Sequence, residues 1–457
     1  MAASNKAAKF PQYLAAITVS LGALATGTVL GWTGNISQTL LDGDYNHITI
    51  DDTDFGWIGS MFNLGAMFMC FPIGLICDKI GRKYGSLLLT IPFIIGWLLI
   101  IFANSVGMMM AGRFIIGMAG GGFCVVGPLY TSEVGEKEIR GALGTFFSLF
   151  GALGIVISYV LAYAFTVKVL SIILAVIPVI FCIAFVFQPE TPMYCMKQGK
   201  EEEAKASLRR LRGKHYNVDK EIAEIKQVLE ELKNNNTTLS DSFKKRSTKI
   251  AALVSFSLMF FQQACGINAV IFYTSTIFED LDFGLLPTEA TIITGVIQLV
   301  ALFISANVVD RLGRKILLFI SSSFMAVGLT ILGVYFTLQG NLDSDTLETL
   351  SFMPIFGIAL FMLVYALGFG PIPWMMSAEL FPTEIKSIAS AAAGTFNWFM
   401  AFIITKFYGD VRVAIGGDAT FYIFAGVCVF ATVYNCILVP ETKGKSLEQI
   451  QRELNNE

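Results

Sequence analysis

Charged side chains are scarce in this 457-residue sequence: Asp, Glu, Lys and Arg together make up 15%, and there are two histidines. A water-facing globule normally needs about a quarter of its residues charged, so a soluble domain is a poor fit. There is no GxxxxGK[ST] loop to cradle phosphates, which leaves ATP-driven work without a site. The glycines around Gly112, Gly117 and Gly120 to Gly122 lie in an apolar stretch and read better as close helix packing. The eight cysteines (70, 77, 124, 182, 195, 265, 428 and 436) form no CxxC pair and avoid the acidic loops, so neither a metal nor a disulfide framework is expected. No nucleophile–base constellation suggests an enzyme, and no cofactor is implied. The N-terminus lacks the cleavage site of a removable signal, so the first apolar segment is expected to remain as an anchor.

What is abundant is apolar surface. Hydrophobic residues make up 54% of the chain, and the mean hydropathy is +0.65. Twelve apolar segments are each long enough to cross a bilayer core of about 30 Å. In the first half they fall at 13–33, 55–77, 84–103, 108–130, 142–164 and 168–187. In the second they fall at 250–276, 289–309, 315–337, 350–376, 387–408 and 419–439.

Of the 32 Lys and Arg, 28 fall on the side that holds both termini; Arg113 lies within a span, and Lys168, Lys406 and Arg412 are left for the opposite side. The loop from Gly34 to Phe55 carries Asp42, Asp44, Asp51, Asp52 and Asp54 with no basic residue. The positive-inside rule therefore puts both termini in the cytosol. The net charge of −3 hides this asymmetry and says nothing about acidic or nucleic-acid partners. Asn35-Ile36-Ser37 is a glycosylation sequon close to the outer face, while the Asn235 and Asn236 sequons are cytosolic and should be silent. The absence of an acidic dileucine signal near the N-terminus favours the plasma membrane. Between the two apolar halves, 197–248 is a soluble insert. Its Val218, Ile222, Ile225, Val228, Leu229 and Leu232 recur at helical spacing, which predicts an amphipathic helix lying on the bundle rather than a solvated linker.

The two halves repeat each other. Asp78-Lys79-Ile80-Gly81-Arg82-Lys83 returns as Asp310-Arg311-Leu312-Gly313-Arg314-Lys315, an offset of 232. Pro128 to Glu133, followed by Arg140, returns as Pro373 to Glu379, followed by Lys386; Pro189-Glu190-Thr191 returns as Pro440-Glu441-Thr442. Three motifs repeated in order between apolar spans are the architecture of an alternating-access transporter.

At these residues the chain resembles the sugar porter family of the major facilitator superfamily. Leu30-Gly31-Trp32-Thr33 and Gly368-Phe369-Gly370-Pro371-Ile372-Pro373-Trp374 make it most similar to animal facilitative hexose transporters, especially the facilitated trehalose group. The resemblance implies an all-α membrane protein of twelve transmembrane helices in two pseudo-symmetric six-helix bundles. The expected organisation is a bundle at 1–196, a cytosolic linker at 197–248, a second bundle at 249–440 and a short tail at 441–457. It implies a small sugar as partner, the bilayer as surroundings and a functional monomer.

Asp78, Arg82, Glu133, Arg140 and Glu190, with Asp310, Arg314, Glu379, Lys386 and Glu441, put opposite charges at neighbouring cytosolic helix ends. Ion pairs spanning the bundles would hold the inner gate shut in the outward-facing state and separate when it opens; the alternative is that the charges merely fix topology. Exposed pairs contribute about 0–1 kcal/mol each, but a network can bias two states a few kcal/mol apart. For the sugar, Gln262, Gln263 and Asn268 place three amides within seven residues of span 7, costly in an apolar span unless paired. Gln263 and Asn268 lie about 140° apart on an ideal helix, so one face holds both only at a break, which Gly266 permits. These residues match the family's QQxxGxN motif, and Tyr273, Gln298, Trp374, Asn397 and Trp398 join them as substrate-binding residues; amides gluing helices together is the competing reading.

Some positions depart from the family. Ser148 and Ala366 stand where many hexose porters have Gln and Glu, Ala401 replaces a second Asn of span 11, and Met193, Lys386 and Lys445 replace Arg. The small residues are expected to remove polar partners and open volume, as a larger sugar would need. Thr33 occupies the place of the Asp of proton-coupled porters, and His47 and His215 lie in loops. Arg113, the one obvious ionisable residue within a span, then reads as an element holding backbone carbonyls. The expected activity is passive, facilitative uniport. A proton-coupled symporter lacks its acid, and a transport-dead sugar sensor usually carries a longer tail than the 17 residues here.

Overall fold

The computed structural model describes residues 7–43, 45–136, 138–213, 215–234, 245–273, 277, 286–382, 385–445 and 447–455. The Asn235 and Asn236 sequons and the end of the predicted span 7 (274–276) lie outside them. Helices form wherever the sequence is apolar for long enough. A strand in lipid would leave backbone groups unpaired, whereas a helix satisfies them internally. Span 1 is Phe10–Leu41, and span 2 is Asp52–Cys70 continued by Pro72–Ile80 with a bend of 47°. Span 3 is Arg82–Leu88 with Thr90–Ile101; spans 4, 5 and 6 are Val106–Val134, Arg140–Ala164 and Val167–Val186. In the second half, span 7 is Arg246–Ala264 with Ile267–Phe272, and spans 8 and 9 are Pro287–Leu312 and Arg314–Gln339. Span 10 is Phe352–Leu367 with Ile372–Leu380, and spans 11 and 12 are Lys386–Ile415 and Gly417–Ile437. Three of the four interrupted spans break at a proline or a glycine. Proline begins the second segment of span 2, and Pro371 stands at the head of that of span 10. In span 7, Gly266 adopts φ +86°, where an L side chain is strained and where its Cβ would meet the Phe424 ring at 2.6 Å.

The helices pack as two bundles, with spans 1, 2, 4 and 5 interlocked in the first and spans 9, 10 and 12 in the second. The halves meet mainly where span 2 lies along span 11 and span 5 along span 8. The insert begins with a helix the sequence reading did not separate, Glu201–Arg212, and continues with the predicted one, Val218–Asn234. Val218 and Ile222 pack with Cys195, Ala204 and Leu208, whereas Val228 is exposed. Arg212 ties the insert down through Glu221 at 2.7 Å and the Val134 carbonyl at 2.7 Å. The Asn35 sequon lies within span 1, and its Ser37 is fully buried.

Candidate functional site

The repeated motifs fold into the same cradle twice, on the face that holds the helix ends of Ile80 and Leu312. In the first half Glu190 accepts from the backbone N–H groups of Arg82 (3.1 Å) and Lys83 (3.0 Å). Arg82 pairs with Glu133 at 3.0 Å and Asp78 at 3.2 Å. In the second half Glu441 accepts from the N–H groups of Arg314 and Lys315, each at 3.0 Å, and Arg314 pairs with Glu379 at 2.9 Å. Thr191 and Thr442 donate to Glu133 and Glu379 in turn. The first N–H groups of a helix lack intrahelical partners, and here a carboxylate from the end of the same half meets them. Among the described residues, the Arg82 and Arg314 pairs expected to bridge the halves are made to carboxylates of their own half. Arg140 turns back to the Gly135 carbonyl, Lys386 is exposed, and the side chain of Asp310 lies outside the described ones. The two cradles differ in one respect. Burial holds Glu190 above the usual carboxylate range, whereas at Glu441 burial is outweighed by backbone N–H donors, which hold it below.

Within the second half, the predicted amides of spans 7 and 11 form one chain. Asn268 donates to Gln263 (2.7 Å), Gln263 to Asn397 (3.0 Å) and Asn397 to Gln262 (2.7 Å). Gln262 in turn donates to the carbonyls of Phe369 (2.7 Å) and Gly370 (2.8 Å), which the break in span 10 leaves free. The break at Gly266 is what lets Gln263 and Asn268 reach each other across a helix that would hold them apart. Gln262 therefore ties helices together, as the competing reading anticipated. Asn268 and Gln263, at the end of the chain, retain carbonyl and amide capacity for a hydroxyl. Trp398, the chain neighbour of Asn397, stands edge-on to Phe62 of the other half (centroids 5.9 Å), with its indole N–H unpartnered among the described residues. Trp374 and Cys70 both close on Gly394 of span 11, and Gln298 is half-buried on span 8.

The structure moves three expectations. Tyr273 stands apart from the amides, packed edge-on to Phe55 (5.1 Å) and against Tyr408 (4.8 Å), at the opposite face of the molecule from the cradles. Ala366 and Ala401 are fully buried, so neither enlarges the cavity; Ser148 is exposed. Lys406, assigned from the sequence to the side opposite the termini, lies inside span 11 with its side chain 6% exposed, paired to Asp410 at 3.2 Å and set over the Trp57 ring at 5.1 Å. The predicted span 387–408 already contained it, and the helix runs on past that end to Ile415. Arg113 behaves as expected of a group that holds carbonyls. It is fully buried and donates to Val29 of span 1 (3.1 Å) and Ile58 of span 2 (3.2 Å), between the rings of Trp32 and Phe62.

The halves touch closely on the face away from the cradles. A Cβ on Gly34 of span 1 would lie 2.3 Å from the Ile271 carbonyl, and one on Gly56 3.2 Å from that of Lys406. Asn63 of span 2 donates to Thr405 of span 11 at 3.1 Å, and Tyr159 of span 5 closes on Gly295 of span 8. Toward the cradles, Gly141 and Gly144 of span 5 face open space. This is a two-bundle carrier whose halves close on each other at the face away from the cradles.

The class has a family. Residues 13–454 match the family model described as "Sugar (and other) transporter", and the chain belongs to that family of multi-pass membrane transporters. It is 36% identical over 447 residues to the facilitated trehalose transporter Tret1 of Culex quinquefasciatus, covering 97% of this chain and 86% of that one. It is 36% identical over 448 residues to the facilitated trehalose transporter Tret1 of Bombyx mori, covering 97% and 87%. In fold it is similar to the xylose transporter XylE from E. coli in a partially occluded inward open conformation, with TM-score 0.79, 21% identity and coverage of 95% and 99%.

Proposed function

We propose that the chain is a passive alternating-access carrier of a small neutral sugar, trehalose or a hexose such as glucose, in the plasma membrane. The bundles at 1–196 and 249–440 rock about the amide chain as a monomer, with the linker 197–248, the tail 441–457 and both termini in the cytosol. On this reading the cradle face is cytosolic and the structure is inward-facing. Asn268, Gln263, Asn397, Trp398, Trp374 and Gln298 contact the sugar, Gln262 holds span 10, and Tyr273 closes the outer face. The observation that carries the reading is the neutral amide chain of spans 7 and 11, which offers hydroxyl-compatible groups and no full charge. The trehalose relatives support the substrate. The passive mechanism rests on span 1, where buried Thr33 bonds the Val29 carbonyl and Arg113 is engaged by carbonyls and rings.

The test is radiolabelled trehalose and glucose uptake in oocytes at pH 5.5 and 7.5, with a protonophore control and with Gln263→Ala alongside. Equilibrating trehalose uptake that ignores the proton gradient and weakens in Gln263→Ala is expected. Glucose uptake alone moves the substrate and keeps the mechanism. Accumulation that collapses with the protonophore refutes passive transport and turns attention to the Lys406–Asp410 pair.

A further inference from the structure

Span 2 carries one amide in its apolar run, Asn63, and the structure places it where the halves meet. Its side chain is fully buried and joins Thr405 of span 11, also fully buried, across the interface at 3.1 Å. The other polar atom of the amide, Oδ1, has no partner among the described residues. Turning the amide over changes nothing in this count, because one polar atom then bonds the Thr405 hydroxyl and the other is still left alone. A buried amide atom without a partner is strongly disfavoured, more so in a membrane protein's interior than at its surface. The chain neighbour Phe62 stands edge-on to Trp398, whose indole N–H is likewise unpartnered. An acceptor on the first half and a donor on the second are therefore both left without a partner among the described residues along the seam of spans 2 and 11. A pyranose ring matches that set, since its hydroxyls both donate and accept and its C–H face covers an aromatic ring.

We propose that Asn63 is a specificity-determining residue of the sugar site: its free carbonyl oxygen accepts one substrate hydroxyl, while its N–H group holds the outer closure through Thr405. The inference rests on the sugar-carrier reading above. It gives the first half a polar contact with the substrate, so that a sugar bound to the second half's amides is gripped by both halves when the outer face closes.

The experiment is counterflow in proteoliposomes with trehalose, glucose and the monodeoxy analogues of whichever sugar is carried. If the unaltered chain carries neither sugar, the carrier reading itself fails. If it does, one deoxy analogue is expected to be discriminated against about tenfold in KM, as for a buried hydroxyl contact left unmade. In Asn63→Leu that discrimination should disappear while the penalties for the other analogues stay. Thr405→Val should keep the discrimination and change Vmax alone, because it removes the latch but not the acceptor. Asn63→Ala serves as the second variant if Asn63→Leu is not recovered folded. An unchanged deoxy pattern in a folded Asn63 variant, or an equal loss of discrimination in Thr405→Val, overturns the proposal.

Discussion

A single methyl group should jam the outer closure. Gly34 of span 1 faces the backbone carbonyl of Ile271 in the far segment of span 7, and an added Cβ would lie 2.3 Å from that oxygen. Ordinary contact at such a position is 3.4–4 Å, so one helix must retreat by an ångström or more. Both partners are backbone, so no rotamer change relieves the overlap. Overpacking of this kind costs about 1–3 kcal/mol. The cost falls only on states in which spans 1 and 7 touch, because opening the outer face separates them. Gly34→Ala is therefore expected to shift the population toward the outward-open state by a factor of roughly 5–150. The assay places Thr405→Cys, a position fully buried in the closed face, in a background without the natural cysteines. A membrane-impermeant maleimide is then applied from outside, with and without Gly34→Ala. Labelling should accelerate by that factor and net uptake should fall, since every cycle passes through the strained closure. Unchanged labelling at normal surface expression would refute both the closure geometry and the orientation on which it rests.

Arg113 holds two helices by their carbonyls, and a guanidinium can span both where an ammonium cannot. Arg113→Lys is expected to lower stability by about 2–3 kcal/mol, the worth of a hydrogen bond to a charged group, read as a lower thermal midpoint in detergent; an unchanged midpoint refutes the bridging role. Arg82, buried with Glu133, belongs to one half, so Arg82→Leu strands a partly buried carboxylate. A lower midpoint, with loss of about 3–5 kcal/mol, is expected rather than slowed transport alone; slow transport at an unchanged midpoint would restore a gate that bridges the halves. The cradle carboxylates should differ with pH. Glu441 is held low, so its stabilisation is present above the ordinary carboxylate pKa and lost as pH falls through its lowered folded value. Glu190 is held high, so its contribution is greatest below the ordinary value and is lost as pH rises through its raised folded one. At pH 7.5 Glu441→Gln should lower the thermal midpoint more than Glu190→Gln, and the gap should narrow on acidification; a reversed order contradicts the assignment.

Much of the molecule is legible in the amino acids alone. A run of apolar residues long enough to cross a bilayer has one good backbone solution, so the spans follow from hydropathy, and their starts agree with the helices within a few residues. The repeated Asp–Gly–Arg, Glu and Pro–Glu–Thr motifs likewise announce two equal halves, and each becomes the same cradle because its partners lie within that half. The Gly266 break was readable too, since Gln263 and Asn268 cannot share one face of an unbroken helix.

Other features depend on which surfaces meet. Asn63 and Thr405 are 342 residues apart, and no local pattern pairs them. Lys406 reads as an outer-side cation until the packing of span 11 on span 2 is seen to bury it against Trp57 and Asp410. The amides were expected to need partners, and only the packing of span 7 on span 11 shows that those partners are one another. Above all, the sequence is the same in every stage of the cycle. It determines the helices, the repeat and the polar residues at the seam; the tertiary structure alone decides which face is sealed, because the alternative packings of those halves differ by only a few kcal/mol.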